Sequence, residues 1–217
     1  MGASAAQGDK YRSYLYGEGE ENTEWRYGAP PDYDVIWPPG SLEEQVQNMV
    51  KTWEMEMFHK VKMEDFKSVD LNKYTFSLNE RKLGGGYNPL LQTSLPEKFR
   101  AYNPDGETAI SSHLAFTTAF PRGFALEILQ VYSGPPVIVY KFRHWGYMEG
   151  PFKGHAPTGE RIEVIGMAIF EQDEHSKIVK VEFFYDRGEL LGGLLKAVSD
   201  GSMDATPSNC PVLRSTE

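Results

Sequence analysis

The chain has 217 residues, enough for one domain with appendages. Its residues are 40% hydrophobic, 13% aromatic and 24% charged, which excludes bulk disorder. With 22 basic against 31 acidic residues the net charge is −9, so the basic footprint needed for nucleic acid or an anionic membrane is missing. A single cysteine, Cys210, excludes an internal disulfide and a CxxC metal cage and points to a reducing compartment, the cytoplasm.

Residues 1–40 read as an irregular, acidic arm. Met1 to Gln7 lacks the cationic cluster and apolar core of a secretory signal. Gly2 could be myristoylated, but Ala6 stands where that motif wants Ser or Thr. The arm holds seven aromatic residues, Tyr11, Tyr14, Tyr16, Trp25, Tyr27, Tyr33 and Trp37, too many for a purely entropic tail. Pro30-Pro31 and Pro38-Pro39-Gly40 break it repeatedly. Either these rings pack on the domain or a partner subunit, or the arm is a solvated acidic tail.

A domain over residues 41–200 follows. Ser41-Leu42-Glu43-Glu44 is a capping box that opens a helix. Leu42, Val46, Met49, Val50, Trp53 and Met57 then recur on one 3.6-residue stripe. Lys73 to Leu78 predicts a short strand. Gly84-Gly85-Gly86 lies in a loop and lacks the Lys-Ser/Thr of a phosphate loop. Thr108 to Phe120 predicts a helix, ended by Pro121 and Gly123.

Four segments then turn β-rich: Phe124–Tyr132, Val137–Trp145, Glu160–Phe170 and Lys177–Tyr185. Turn-forming stretches separate them. Gly188 to Lys196 predicts a last turn or helix, and residues 201–217 a disordered polar tail. Helices first and long strands later predict an α+β fold. Its curved antiparallel or mixed sheet should wrap around the N-terminal helices, with side chains or a ligand filling the concavity. No apolar run approaches the ~20 residues of a membrane span.

Parity sorts the strands. Ile138, Tyr140, Phe142 and His144 share the more apolar face of Val137–Trp145. His144 is therefore either a satisfied core histidine or a group tuned for proton transfer on an inner wall. In the last strand Val179, Val181, Phe183 and Tyr185 form the apolar face, and Ile178 falls on the mixed one. Asp186, at that strand's end, is a general base at a cavity mouth or the cap of the next turn. Glu127 sits among Phe124, Leu126, Ile128 and Leu129, so it faces solvent or has a raised pKa. His59, His113, His155 and His175 lack metal-ligand spacing, so no metal is expected.

The stretch Arg143 to Asp186 resembles the SnoaL-like polyketide cyclase family. It carries His155-Ala156-Pro157-Thr158-Gly159 at the family's turn and Ser176-Lys177-Ile178-Val179 at its strand start. Asp186 precedes a leucine-rich turn from Glu189 to Leu195. DKYRSYL, TEWRYGAPPDYDV and SLEEQVQNMVKTWEMEMFHK extend a resemblance to the plant pathogen-related branch over nearly the whole chain. The resemblance implies a nuclear-transport-factor-type cone with an internal pocket, a cystatin-like α+β roll that dimerises through its sheet. It implies a pocket for a small apolar or phenolic metabolite, walled by Trp53, Tyr140, Phe142, Phe183 and Tyr185. It also implies cofactor-free cyclase, isomerase or dehydratase chemistry by general acid/base catalysis, or else a non-catalytic binding module in defence. Where bacterial members carry a Trp-Asp pair, this chain has Glu182 and Phe183. The acid/base candidates are then His144, Asp186 and Glu127.

Overall fold

Residues 11–13, 17–20, 35–60, 62–82, 88–91, 95–100 and 102–196 are described by the computed structural model. Two short strands of the arm, β1 (Tyr11–Ser13) and β2 (Gly17–Glu20), pair as an antiparallel hairpin. The arm's far end straps the domain: the Trp37 indole donates to the Ile128 carbonyl at 3.2 Å. The other five aromatic residues of the arm, and residues 201–217, lie outside the described residues.

Helix α1 (Leu42–His59) starts at Ser41, whose hydroxyl accepts from the Glu44 amide. The return arm of the box lands one residue early, because the Glu44 carboxylate accepts from the Gly40 amide at 2.5 Å. Val46, Val50 and Trp53 on the helix are buried as their spacing predicts. At the far end buried Glu56 accepts from Lys60 at 2.9 Å and from the amides of Lys67 and Ser68 at 2.8 Å. That network ties the helix end to the segment leading into the sheet.

The sheet has six strands in the order β4-β3-β8-β7-β6-β5. They are β3 (Thr75–Leu78), β4 (Arg81–Lys82), β5 (Ala125–Ser133), β6 (Val137–Tyr147), β7 (Arg161–Gln172) and β8 (Ile178–Tyr185). All neighbours are antiparallel except β3 and β8. Short α2 (Asn88–Leu91), then α3 (Ala109–Ala119) and α4 (Arg187–Leu194) complete the fold. The result is a mixed α+β cone: a curved sheet wrapped around α1.

Two apolar clusters fill it. In one, Trp53 of α1 meets Tyr140, Phe142, Phe170 and Phe183 on the concave face. Its ring stands edge-on to Phe170 at 5.1 Å. In the other, Phe116 and Phe120 of α3 meet Met148, Phe152, Leu190 and Leu194. Tyr185 packs against both. Each buried ring of this kind stabilises by roughly 1.5–3 kcal/mol.

Ile178 departs from the parity reading. It is fully buried in the first cluster rather than on the mixed face. The register shifts between Glu171 and Gln172, so Ile178 pairs with Gln172 out of alternation. A one-residue irregularity of this kind turns a side chain to the other face.

Candidate functional site

Helical spacing puts Val46, Val50 and Glu54 in one row at i, i+4 and i+8, pointing at the sheet. Across the gap, β6 alternation carries Tyr140, Phe142 and His144 on the concave face. The two elements bring the Glu54 carboxylate to 3.8 Å from His144 Nε2. That exceeds a hydrogen bond, so a polar atom bonded to both must lie to one side of the pair, facing the pocket. Both side chains are mostly buried, 21% and 18% exposed. The imidazole lies flat on Phe124 at 4.4 Å between centroids.

A pocket opens at this point, in the seam between the two apolar clusters. Trp53, Leu126, Phe142 and Phe183 wall it from the first cluster. Phe116, Val164 and Leu190 wall it from the second. Phe76, Leu90 and Phe124 close the rest, and the titratable lining groups are Glu54, His144 and Tyr185. The room open to the centres of water-sized molecules is about 40 Å³. At roughly 10–15 Å³ per water, that is space for a few waters.

Electrostatics favour neutral groups throughout. Burial pushes the Glu54 carboxyl up to about 7, with Lys51 working against it. Burial pulls the His144 imidazole down to about 3, against the backbone of Ala125. The Tyr140 hydroxyl is raised by burial first and by the Glu54 charge second. It is buried without a hydrogen-bond partner. Burial also raises Tyr185, whose hydroxyl donates to the Leu90 carbonyl at 3.2 Å.

The structure brings together five of the residues singled out in the sequence: His144, Trp53, Phe142, Phe183 and Tyr185. Tyr140 lies one layer deeper, fully buried beside the pocket. The other two acids lie elsewhere. Asp186 caps α4, its Oδ1 accepting from the Gly188 amide at 2.7 Å. Glu127 neither faces solvent nor stands alone. It is fully buried opposite Arg143 on the adjacent strand, which donates to it at 3.0 and 2.5 Å. Its other oxygen accepts from the Val35 amide at 2.9 Å.

Sequence reasoning missed Glu54. The available signal was its place on the Val46–Val50 row, a carboxylate on the stripe meant for the core. Among the described residues no group of three or more His, Cys, Asp and Glu could hold a metal ion. No described helix is long and apolar enough to cross a membrane.

A pathogen-related protein from Hordeum vulgare is 49% identical over 238 residues, spanning 100% of this chain and 100% of its own. The chain belongs to the pathogen-related protein family. No protein-family model matches it. Solved structures similar to this pathogen-related chain include one from Jannaschia sp. CCS1, provisionally assigned as a SnoaL-like polyketide cyclase. It shares 15% identity over 73% of this chain and 97% of its own, at a TM-score of 0.43. An NTF2-like protein from Anabaena variabilis shares 11% identity over 70% of this chain and 95% of its own, at a TM-score of 0.34. Likeness at that level carries no residue role across.

Proposed function

We propose that this chain binds a small apolar or phenolic metabolite in the cone pocket and moves a proton on it without a cofactor. One observation carries the reading. A pocket walled by ten apolar residues holds a carboxyl and an imidazole 3.8 Å apart, and among the described residues no lysine or arginine pairs with that carboxyl within 4 Å.

The chemistry follows from the two protonation states. A carboxyl titrating near neutrality both gives and takes protons under working conditions, which suits a general acid/base. A neutral imidazole offers a donor and an acceptor in fixed places without adding charge to a dry site. A ligand ketone whose oxygen accepts from the His144 imidazole N–H loses a proton from its neighbouring carbon to the ionised Glu54 carboxylate, which leaves an enolate and a neutral Glu54 carboxyl. Return of that proton from Glu54 to a different carbon completes an isomerisation, and attack of the enolate carbon on a second carbonyl, whose oxygen takes the proton from Glu54, completes a ring closure. Asp186 and Glu127 take no part, since each is already committed to a structural partner.

The alternative is a binding or interaction module in defence, without turnover. The small free volume favours it, since a polyketide-sized ligand needs the rings to move apart. Native mass spectrometry of the chain incubated with source-tissue extract names the retained ligand. Turnover of that ligand, lost in His144→Ala and Glu54→Gln, supports the enzyme. Retention without turnover supports the binding module.

A homodimer through the sheet completes the proposal, in the cytoplasm as the single cysteine suggests. The convex face presents Ile165, 45% exposed, beside half-buried Val139, Met167 and Ile169. Sedimentation at micromolar concentration should give the mass of two chains; a monomer refutes the dimer.

A further inference from the structure

Away from the Glu54–His144 pair, beyond the Tyr185 end of the pocket lining, Arg187 and Arg81 lie close enough for the charge of one to act on the other, and among the described residues neither pairs with an acid. Their placement starts in the β3–β4 turn, where Asn79 and Glu80 adopt left-handed backbone, with φ of 48° and 64°. Leu78 pairs with Arg81 across that turn. The Asn79 side chain donates to the Tyr185 carbonyl at 3.1 Å and accepts from the Tyr185 amide at 3.3 Å. The Asn79 amide also donates to the Phe183 carbonyl at 2.8 Å. The turn is thus locked to the end of β8, two residues before Arg187, and Arg81 follows it directly.

Arg187 is only 9% exposed, and its Nη1 is buried with no hydrogen-bond partner. An unpaired, buried guanidinium nitrogen is costly and calls for an acceptor. The nearest acid in sequence, Asp186, is spent on the Gly188 amide. Among the described residues neither arginine has a carboxylate within 4 Å. The charge of Arg81 acts on Arg187 and adds repulsion. Leu190, one turn along α4 from Arg187, and Tyr185, two residues before it, both line the pocket.

We propose that Arg187 and Arg81 form an oxoanion site that takes the carboxylate or phosphate group of a ligand whose apolar body occupies the pocket. A guanidinium presents paired donors that match both anions. The ligand class narrows from any small apolar or phenolic molecule to one with an anionic head. That narrowing rests on the pocket reading; the anion site itself does not.

Calorimetry on the full chain at low ionic strength tests both parts, with inorganic phosphate, benzoate and benzamide as probes. Phosphate and benzoate should bind and compete, and benzamide should bind at least tenfold more weakly than benzoate. Arg187→Gln should weaken both anions at least tenfold, and Arg81→Gln severalfold. Should Arg187→Gln fail to fold, the exposed Arg81→Gln variant decides the matter. Phe183→Ala, on the pocket wall, should weaken benzoate and leave phosphate unchanged. No saturable anion binding, or binding indifferent to both arginine variants, overturns the site. Phosphate binding that needs the arginines, with benzoate indifferent to Phe183→Ala, keeps the site but overturns its link to the pocket.

Discussion

Glu54 and Glu127 are both carboxylates held out of water near β6, and they sit on opposite faces of the sheet. Glu127 has its charge answered: Arg143 donates twice to one oxygen and the Val35 amide to the other. Glu54 has a weaker answer, the charge of Lys51 acting on it without an ion pair within 4 Å among the described residues. Its near neighbour is an imidazole at 3.8 Å that burial keeps neutral. The difference separates an acid committed to structure from one left to titrate near neutrality. A buried acid with its acceptors filled locks strands together, whereas one left unfilled beside an empty space rises toward neutrality and holds a mobile proton.

The comparison breaks most visibly at Glu127. Glu127→Ala takes from Arg143 its buried carboxylate and leaves it the looser contact with Glu163 at 3.8 Å, and removing one partner of a buried pair costs about 3–5 kcal/mol. Urea unfolding should register that loss, and an unchanged midpoint would make Glu127 no more structural than Glu54. Gly166→Ala comes next. A Cβ there would lie 2.5 Å from the Phe184 carbonyl oxygen and 2.6 Å from Phe142 Cζ, so the pocket ring must move. Overpacking of this kind costs about 1–3 kcal/mol, and the variant should lose the retained ligand in native mass spectrometry.

Glu54→Gln should move stability the other way, and pH supplies the sign. The folded value of Glu54, about 7, lies above its ordinary 4.5. Its ionisation therefore penalises the fold increasingly as pH rises from 4.5 to about 7, and fully beyond. His144 is the mirror case, folded value about 3 against an ordinary 6.5. Its penalty grows as pH falls from 6.5 toward 3. Glu54→Gln should thus be more stable than the parent at pH 8, by about 1–3 kcal/mol, and equal to it near pH 4. Denaturant curves at the two pH values check this; a loss at pH 8 would mean that the Glu54 charge is answered after all. The smallest effect belongs to Asp186→Ala, which removes a helix cap worth about 1 kcal/mol. Thermal melting should show that loss while ligand retention stays unchanged.

The strands were legible because their chemistry is local. The β-rich segments predicted for β5 to β8 match the observed bounds within two residues, and β6 parity placed Tyr140, Phe142 and His144 on the concave face. The Ser41 cap and the α1 stripe were legible for the same reason. The fates of the acids were not, because they depend on register and packing. Glu127 meets Arg143 only through the β5–β6 pairing, in a strand with two irregularities. Glu54 becomes a pocket residue only when α1 is laid against β6. The arm gave many rings and little geometry, and Trp37 shows what one of them does.

The most direct test is a carbon-13 NMR titration of the Glu54 side-chain carboxyl in the intact chain. The account predicts a midpoint near 7, falling when Lys51 is retained and the pocket is opened to water by Phe142→Ala. A midpoint near the ordinary 4.5 in the parent chain would mean that Glu54 is ionised and answered like Glu127, and the proton-transfer reading would fall with it.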